Sequence, residues 1–201
     1  FTKFDIMYKG EKLGSVELAI PGIHNVLNAL AAIASAIYSG AKFEDCIKGL
    51  QEFKGAGRRF EDLGTYNGID FIDDYAHHPA ELKVTLEAAM KMGYNTVWAV
   101  FQPFTYSRTA MHFDEFVDVL KIPDRCVMTE IMGSREVNTY DIYTSQLAEK
   151  IPNSVWFNTQ EEVAEYVVNH AKAGDLVLTM GCGDIYKSAF MMIERLKNGT
   201  V

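Results

Sequence analysis

Ile69-Asp70-Phe71-Ile72-Asp73-Asp74-Tyr75-Ala76-His77-His78-Pro79-Ala80-Glu81 is the stretch whose reading decides the fold. Its first half is apolar and aromatic, as a strand requires, and it follows Asn67-Gly68, two residues tolerant of positive φ. That dipeptide predicts a tight hairpin with a partner strand over Phe60 to Tyr66. The second half is polar, and then Pro79, suited to a first helical turn, precedes Glu81, Leu82, Thr85, Leu86 and Ala89 at helical spacing. Strand, polar loop and helix follow one another without a break.

The same rhythm continues downstream. Strand candidates begin near Asp70, Thr96, Arg125, Asn153 and Asp175, each followed by a helical pattern, and Thr159 with Glu162 forms a capping box ahead of Val163, Val167 and Val168. Strands separated by helices become parallel neighbours joined by crossovers. The expectation is an α/β fold, a doubly wound and mainly parallel sheet with helices on both faces. Ligands of such sheets sit beyond the carboxyl ends of the strands.

Upstream the pattern differs. Residues 1 to 20 read as two strand-like runs around Lys9-Gly10-Glu11-Lys12, and Pro21-Gly22 breaks them. Val26, Leu27, Leu30, Ile33, Ala34 and Ile37 then recur at helical spacing up to Gly40, and a second short helix is expected over about 43–53. Gly55-Ala56-Gly57-Arg58-Arg59 is a Gly-rich, basic connector, so the domain boundary is placed between residues 54 and 55. The chain opens at Phe1 with no initiator Met, directly into a strand-like run, and is expected to be a piece of something longer.

Composition narrows the function. The 201 residues carry 19 Lys+Arg against 27 Asp+Glu, a net charge of −8 that repels a phosphate backbone and makes nucleic acid a poor partner. An anionic substrate must instead be met by individual Arg, His or helix N-termini. Cys46, Cys126 and Cys182 are odd in number and widely spaced, which argues for core-filling thiols in a reducing cytoplasm rather than disulfides or a zinc ribbon. The apolar runs, such as Val97 to Phe101, are far too short to span a membrane, so no membrane insertion is expected.

Three loops after strands hold the chemistry. In the first, Asp73-Asp74-Tyr75-Ala76-His77-His78 suits either a divalent-metal cluster or a polar clamp for a substrate with hydroxyls and charges, or it caps the following helix. Side chains alternate in extended backbone, so His77 and His78 point apart, which weakens the metal reading. In the second, Gln102-Pro103-Phe104-Thr105-Tyr106-Ser107-Arg108-Thr109, Arg108 is the sole cation and suits a carboxylate or phosphate, unless it rests in a surface ion pair. The third, Gly181-Cys182-Gly183-Asp184-Ile185-Tyr186-Lys187-Ser188, nearly spells a phosphate-cradling P-loop, but Tyr186 stands where the last Gly belongs. Its glycines can still offer N–H groups to an anion. Asn25 and Asn28, at i and i+3, suit either a base edge or a helix cap.

Taken together, these blocks resemble the Mur ligases: Pro21-Gly22-Ile23-His24-Asn25-Val26-Leu27-Asn28-Ala29, Gly57-Arg58-Arg59-Phe60-Glu61, Asp73-Asp74-Tyr75-Ala76-His77-His78-Pro79, Phe101-Gln102-Pro103 with Tyr106-Ser107-Arg108-Thr109, and Gly181-Cys182-Gly183-Asp184-Ile185. They occur in family order over essentially the whole chain. The resemblance implies residues 1–54 as the C-terminal tail of a central ATP-binding domain, built of a β-hairpin plus helices. It implies residues 55–201 as a Rossmann-like C-terminal domain, with the P-loop and most Mg²⁺ ligands upstream.

The implied activity is ATP-dependent amide ligation in peptidoglycan precursor synthesis, with L-alanine joined to the lactyl carboxylate of UDP-N-acetylmuramate through an acyl phosphate. By the same resemblance His24, Asn25, Asn28, Arg59 and Asp74 meet ATP, with Asp74 at the ribose hydroxyls and Arg59 near the phosphates. Tyr75, His77, His78, Arg108 and Gly183 face the amino acid and the sugar-acid. His77 is the candidate base and Arg108 the catalytic anion holder. Phe104 and Thr105 replace the family's usual His and frequent Arg, which shifts anion recognition toward Arg108. Three alternatives stand beside this reading: a sister ligase that attaches a recycled tripeptide to the same sugar-acid, a metal-dependent phosphoesterase, and a non-catalytic nucleotide-binding module.

Overall fold

The computed structural model describes residues 2–20, 22–53 and 55–199, with His24 described by its backbone alone. The expectations at Phe1, at Pro21 and for the His24 side chain fall outside the described residues. The chain divides into two compact units, residues 1–57 and 58–201.

In the first unit, strands β1 (Thr2–Tyr8) and β2 (Glu11–Leu18) form an antiparallel hairpin. Its two-residue turn puts Lys9 at φ 49° and Gly10 at φ 89°, the pair of left-handed conformations that matches strand twist. Helices α1 (Ile23–Tyr38) and α2 (Phe43–Glu52) follow. Val16, Leu18 and Ile6 of the hairpin pack with Ala29 and Ile33 of α1. The apolar stripe of α1 is wider than the face it buries here: Leu27 is 61% exposed.

The second unit opens with the anticipated hairpin, β3 (Glu61–Tyr66) and β4 (Ile69–Asp74), closed by Asn67 at φ 51° and Gly68 at φ 78°. Helix α3 (Pro79–Met90), strand β5 (Val97–Phe101), helices α4 (Tyr106–Met111) and α5 (Phe113–Val119), and β6 (Arg125–Thr129) come next. The chain ends with α6 (Thr144–Ala148), β7 (Ser154–Phe157), α7 (Gln160–His170), β8 (Leu176–Met180) and α8 (Tyr186–Asn198). The sheet order is β3-β4-β8-β5-β6-β7, and every pairing except β3 with β4 is parallel. All five anticipated parallel strands form, and Thr159 and Glu162 make the anticipated capping box of α7.

Alternation along the strands builds two cores. Ile72, Ala99, Phe101, Met128 and Leu178 meet α3, α5 and α6 on one face. Phe71, Trp98, Val100, Val127 and Val177 meet α7 and α8 on the other. Strand β8 enters last, between β4 and β5, and its following helix lies on the opposite face from those that follow its neighbours. That makes β8 the switch point of the sheet.

Register sharpens the location. Met180 pairs with both Asp74 and Phe101, so β4, β8 and β5 end level and their loops leave side by side. The ladder runs one step further, with Gly181 N–H donating to the Asp74 carbonyl and Gln102 N–H to the Met180 carbonyl, both at 3.2 Å. Gly181 has φ 144°, and a Cβ there would lie 3.0 Å from the Gln102 carbonyl oxygen. Both backbone strain and that contact oppose a side chain.

We expect Gly181→Ala to destabilise the second unit by about 1–3 kcal/mol. Urea unfolding followed by tryptophan fluorescence measures this, because both tryptophans, Trp98 and Trp156, lie in that unit. An unchanged midpoint would contradict it.

Candidate functional site

The level ends of β4 and β8 are joined by one side chain. Arg58, the first residue of the second unit, donates from Nε to Asp73 Oδ2 at 2.7 Å, from Nη1 to the Gly183 carbonyl at 2.9 Å and from Nη2 to the Gly181 carbonyl at 2.6 Å. Its guanidinium carbon also lies over two rings, 5.0 Å from the Tyr75 centroid and 4.6 Å from that of Tyr186. Asp73 is 1% exposed and accepts from Thr179 as well, so its charge is fully matched. Arg58 is thereby spent on the protein itself.

Its neighbour Arg59 is exposed, 5.5 Å from the Tyr75 ring centroid, and its charge reaches Asp74 and Glu81. Asp74 is buried, and its oxygens accept from the Phe60 and Ala76 N–H groups at 2.8 and 2.7 Å. Burial raises its pKa, against the pull of those two N–H groups and of Arg59. Each carboxylate oxygen keeps a second lone pair.

The two histidines do different work. His77 Nδ1 lies 3.0 Å from the Tyr75 carbonyl, which can only accept, so Nδ1 carries the proton and Nε2 presents a lone pair. Glu81 Oε2 stands 3.5 Å from the same Nδ1 and accepts from the His77 and His78 N–H groups. Burial works against the Glu81 charge, but those donors prevail and lower its pKa. His78 instead caps α3, with Nδ1 accepting from the Ala80 N–H, and its ring packs edge-on against His112 at 4.6 Å. Asp73, Asp74, His77 and His78 therefore turn to separate partners. Among the described residues no three His, Cys, Asp or Glu side chains are grouped to hold a metal ion.

The loop after β5 is pinned to the segment after β6. Phe104 bridges to Met132, Thr105 N–H donates to the Met132 carbonyl, and Ser107 gives both its N–H and its hydroxyl to Glu136. The Ser107 hydroxyl, then its N–H, lower the pKa of Glu136. Arg108, half-buried, lies 5.9 Å from the centroid of Phe104 and its charge acts on the Cys182 thiol, while its Nη1 is sealed from solvent with no acceptor among the described residues. It is not in the surface ion pair that would have made it ordinary. Gln102 is 7% exposed, and its Oε1 has no donor; a Cβ on Gly183 would lie 2.5 Å from that oxygen.

The second unit thus brings Arg59, Asp74, Tyr75, His77, Arg108 and Gly183 to the carboxyl ends of three adjacent strands. His24, Asn25 and Asn28 belong to the first unit, at the start of α1. Gly22 is the cap residue of that helix, so neither Asn is the cap, and Asn28 is exposed. Sequence reading missed three residues. Arg58 was passed over for Arg59, although the doublet itself signals that one of two adjacent side chains turns inward. Gln102, an amide directly after an all-apolar strand, carried a readable signal. Glu136 carried none, because only the fold brings it to Ser107.

A family model described as Mur ligase, glutamate ligase domain, matches residues 58–183. UDP-N-acetylmuramate–L-alanine ligase of Lachnospira eligens is 44% identical over 188 residues, covering 92% of this chain and 41% of its own length. The enzyme of the same name from Acetivibrio thermocellus is 41% identical, covering 96% and 42%. Among solved structures, UDP-N-acetylmuramate-alanine ligase from Thermotoga maritima has a TM-score of 0.80 at 26% identity, over 98% of this chain and 43% of that one. A murein peptide ligase from Psychrobacter arcticus has a TM-score of 0.71 at 28% identity, over 98% and 42%. The chain spans about two fifths of the length of these relatives. The family model runs from the arginine that opens the second unit to the glycine that it grips, and the chain belongs to the Mur ligase family.

Proposed function

We propose that this chain is the C-terminal part of an ATP-dependent cytoplasmic ligase of peptidoglycan precursor synthesis, joining L-alanine to the lactyl carboxylate of UDP-N-acetylmuramate. Residues 1–54 are then the end of a central ATP-binding domain and residues 55–201 the C-terminal domain. The observation that carries this reading is Arg108: a cation at the switch point, with a sealed Nη1 that lacks an acceptor. The chain that holds it is 44% identical to an enzyme named for these two substrates.

The chemistry asks for few groups. A carboxylate activated as its acyl phosphate has a good leaving group, and a neutral amine must then attack the carbonyl carbon. Arg108 holds the anionic oxygens of the amino acid or of the acyl phosphate, where a guanidinium in a partly dehydrated site acts strongly. His77 takes the proton from the attacking amine at Nε2, because its Nδ1–H is committed to the Tyr75 carbonyl. Glu81 beside that ring favours the imidazolium that results. His78 supports the loop by capping α3 and lines the substrate side with Tyr75 and Gly183.

For the nucleotide, Asp74 offers its remaining lone pairs to the ribose hydroxyls, and Arg59 lies toward the phosphates. His24, Asn25 and Asn28 supply the adenine side from the first unit. Mg²⁺ would supply charge neutralisation at the phosphates, but the described residues do not assemble a site for it, and no step here rests on it.

In the enzyme that contains this chain, phosphate release from ATP should require both UDP-N-acetylmuramate and L-alanine. Preference for the tripeptide of recycled cell wall over L-alanine would instead identify the sister ligase. His77→Gln should lower kcat by about 100-fold or more. His78→Gln should leave kcat nearly unchanged and act mainly on stability, by about 1 kcal/mol. Equal losses of kcat in the two variants would rule out the division of roles.

A further inference from the structure

One nucleophile in the site has no part in this chemistry. Cys182 is half-buried between Gly181 and Gly183, and its thiol lies within the field of two cations, Arg108 and, more weakly, Arg58. The two cations are not equivalent. Arg58 is neutralised by Asp73 and has its donors committed. Arg108 has no direct ion pair among the described residues: Glu136, whose charge reaches it, is held by Ser107.

A second observation marks the place as unfilled. Among the described residues only Gln102 Oε1, Arg108 Nη1 and Gln160 Oε1 are buried side-chain atoms without a partner. Gln102 is 7% exposed and aims Oε1 at Gly183, the residue after Cys182; the charge of Arg108 acts on the Cys182 thiol; Gln160 donates its Nε2 to Asp184, two residues on. Buried orphan atoms are rare in native proteins, and each is completed by an ordered water or a polar ligand. All three surround residues 181–184.

We propose that Cys182 is a covalent modification site for small electrophiles that carry a carboxylate, recruited by the charge of Arg108. The thiol gives its proton to solvent, and the sulfur attacks the electrophilic carbon. A C–S bond forms as the carbon–halogen bond breaks, and halide departs with the electron pair. Burial raises the thiol pKa, with Arg108 pulling against it, so the reaction quickens with rising pH. The inference needs neither nucleotide nor sugar, and it stands or falls apart from the proposed ligase reaction.

Iodoacetate and iodoacetamide test it, since they share the electrophilic carbon and differ in charge. Rates at Cys182 are read by mass spectrometry of the chain at about pH 8.5, near the ordinary thiol pKa. The reference is the same cysteine in the urea-unfolded chain. The iodoacetate-to-iodoacetamide ratio should exceed the reference by about fivefold at low salt and shrink at high salt. Arg108→Gln should return the ratio to the reference and Arg108→Lys should keep it, with tryptophan fluorescence confirming that both variants are folded. A native ratio equal to the reference, a ratio unmoved by Arg108→Gln, or no modification of native Cys182 by either reagent would overturn the proposal.

Discussion

The site depends on one guanidinium. Arg58 meets a buried carboxylate on β4, two carbonyls of the loop after β8 and two aromatic rings, and no other residue type offers a planar fork of donors with apolar faces. Removing it would leave Asp73 charged and buried, a change that typically costs about 3–5 kcal/mol. The loops after β4 and β8 therefore keep their relative placement only while Arg58 is in place. Lysine could answer the Asp73 charge but could not span both carbonyls.

Around this fixed point, satisfied and unsatisfied groups are sharply divided. Asp73, Asp74, Glu81 and Ser107 all have partners that hold loops in place. Gln102 and Arg108 retain polar atoms with none. Each buried orphan costs about 1–3 kcal/mol, a cost that a stable fold tolerates where a ligand group completes the set. An unpaired acceptor and an unpaired donor from one loop suit a ligand carrying both kinds of group, as an amino acid does.

Most of this fold was readable because its signals are local. Asn67-Gly68 determines its own turn, Thr159 and Glu162 their own cap, and the spacing of strand and helix patterns implies parallel pairing. The order of the strands was not readable, since the insertion of β8 between β4 and β5 depends on how helices share two faces. The same limit applied to the site. Arg108 and His77 stood out as the right chemistry after a strand, and alternation already set His77 apart from His78. Which arginine of the Arg58-Arg59 doublet turns inward depends on carbonyls more than a hundred residues away, at Gly181 and Gly183. Helical spacing groups Leu27 with Val26, Leu30 and Ile33, whereas the first unit leaves Leu27 exposed.

Amide exchange at Gly181 in Arg58→Lys tests most directly whether one side chain holds the loops. The Gly181 N–H is bonded to the Asp74 carbonyl across the gap that Arg58 spans. Losing a charge-assisted carbonyl grip should speed its exchange by about 10- to 100-fold, while Leu178, in the middle of β8, stays as protected as before. Equal protection of Gly181 in the variant and the parent chain would contradict the role assigned to Arg58.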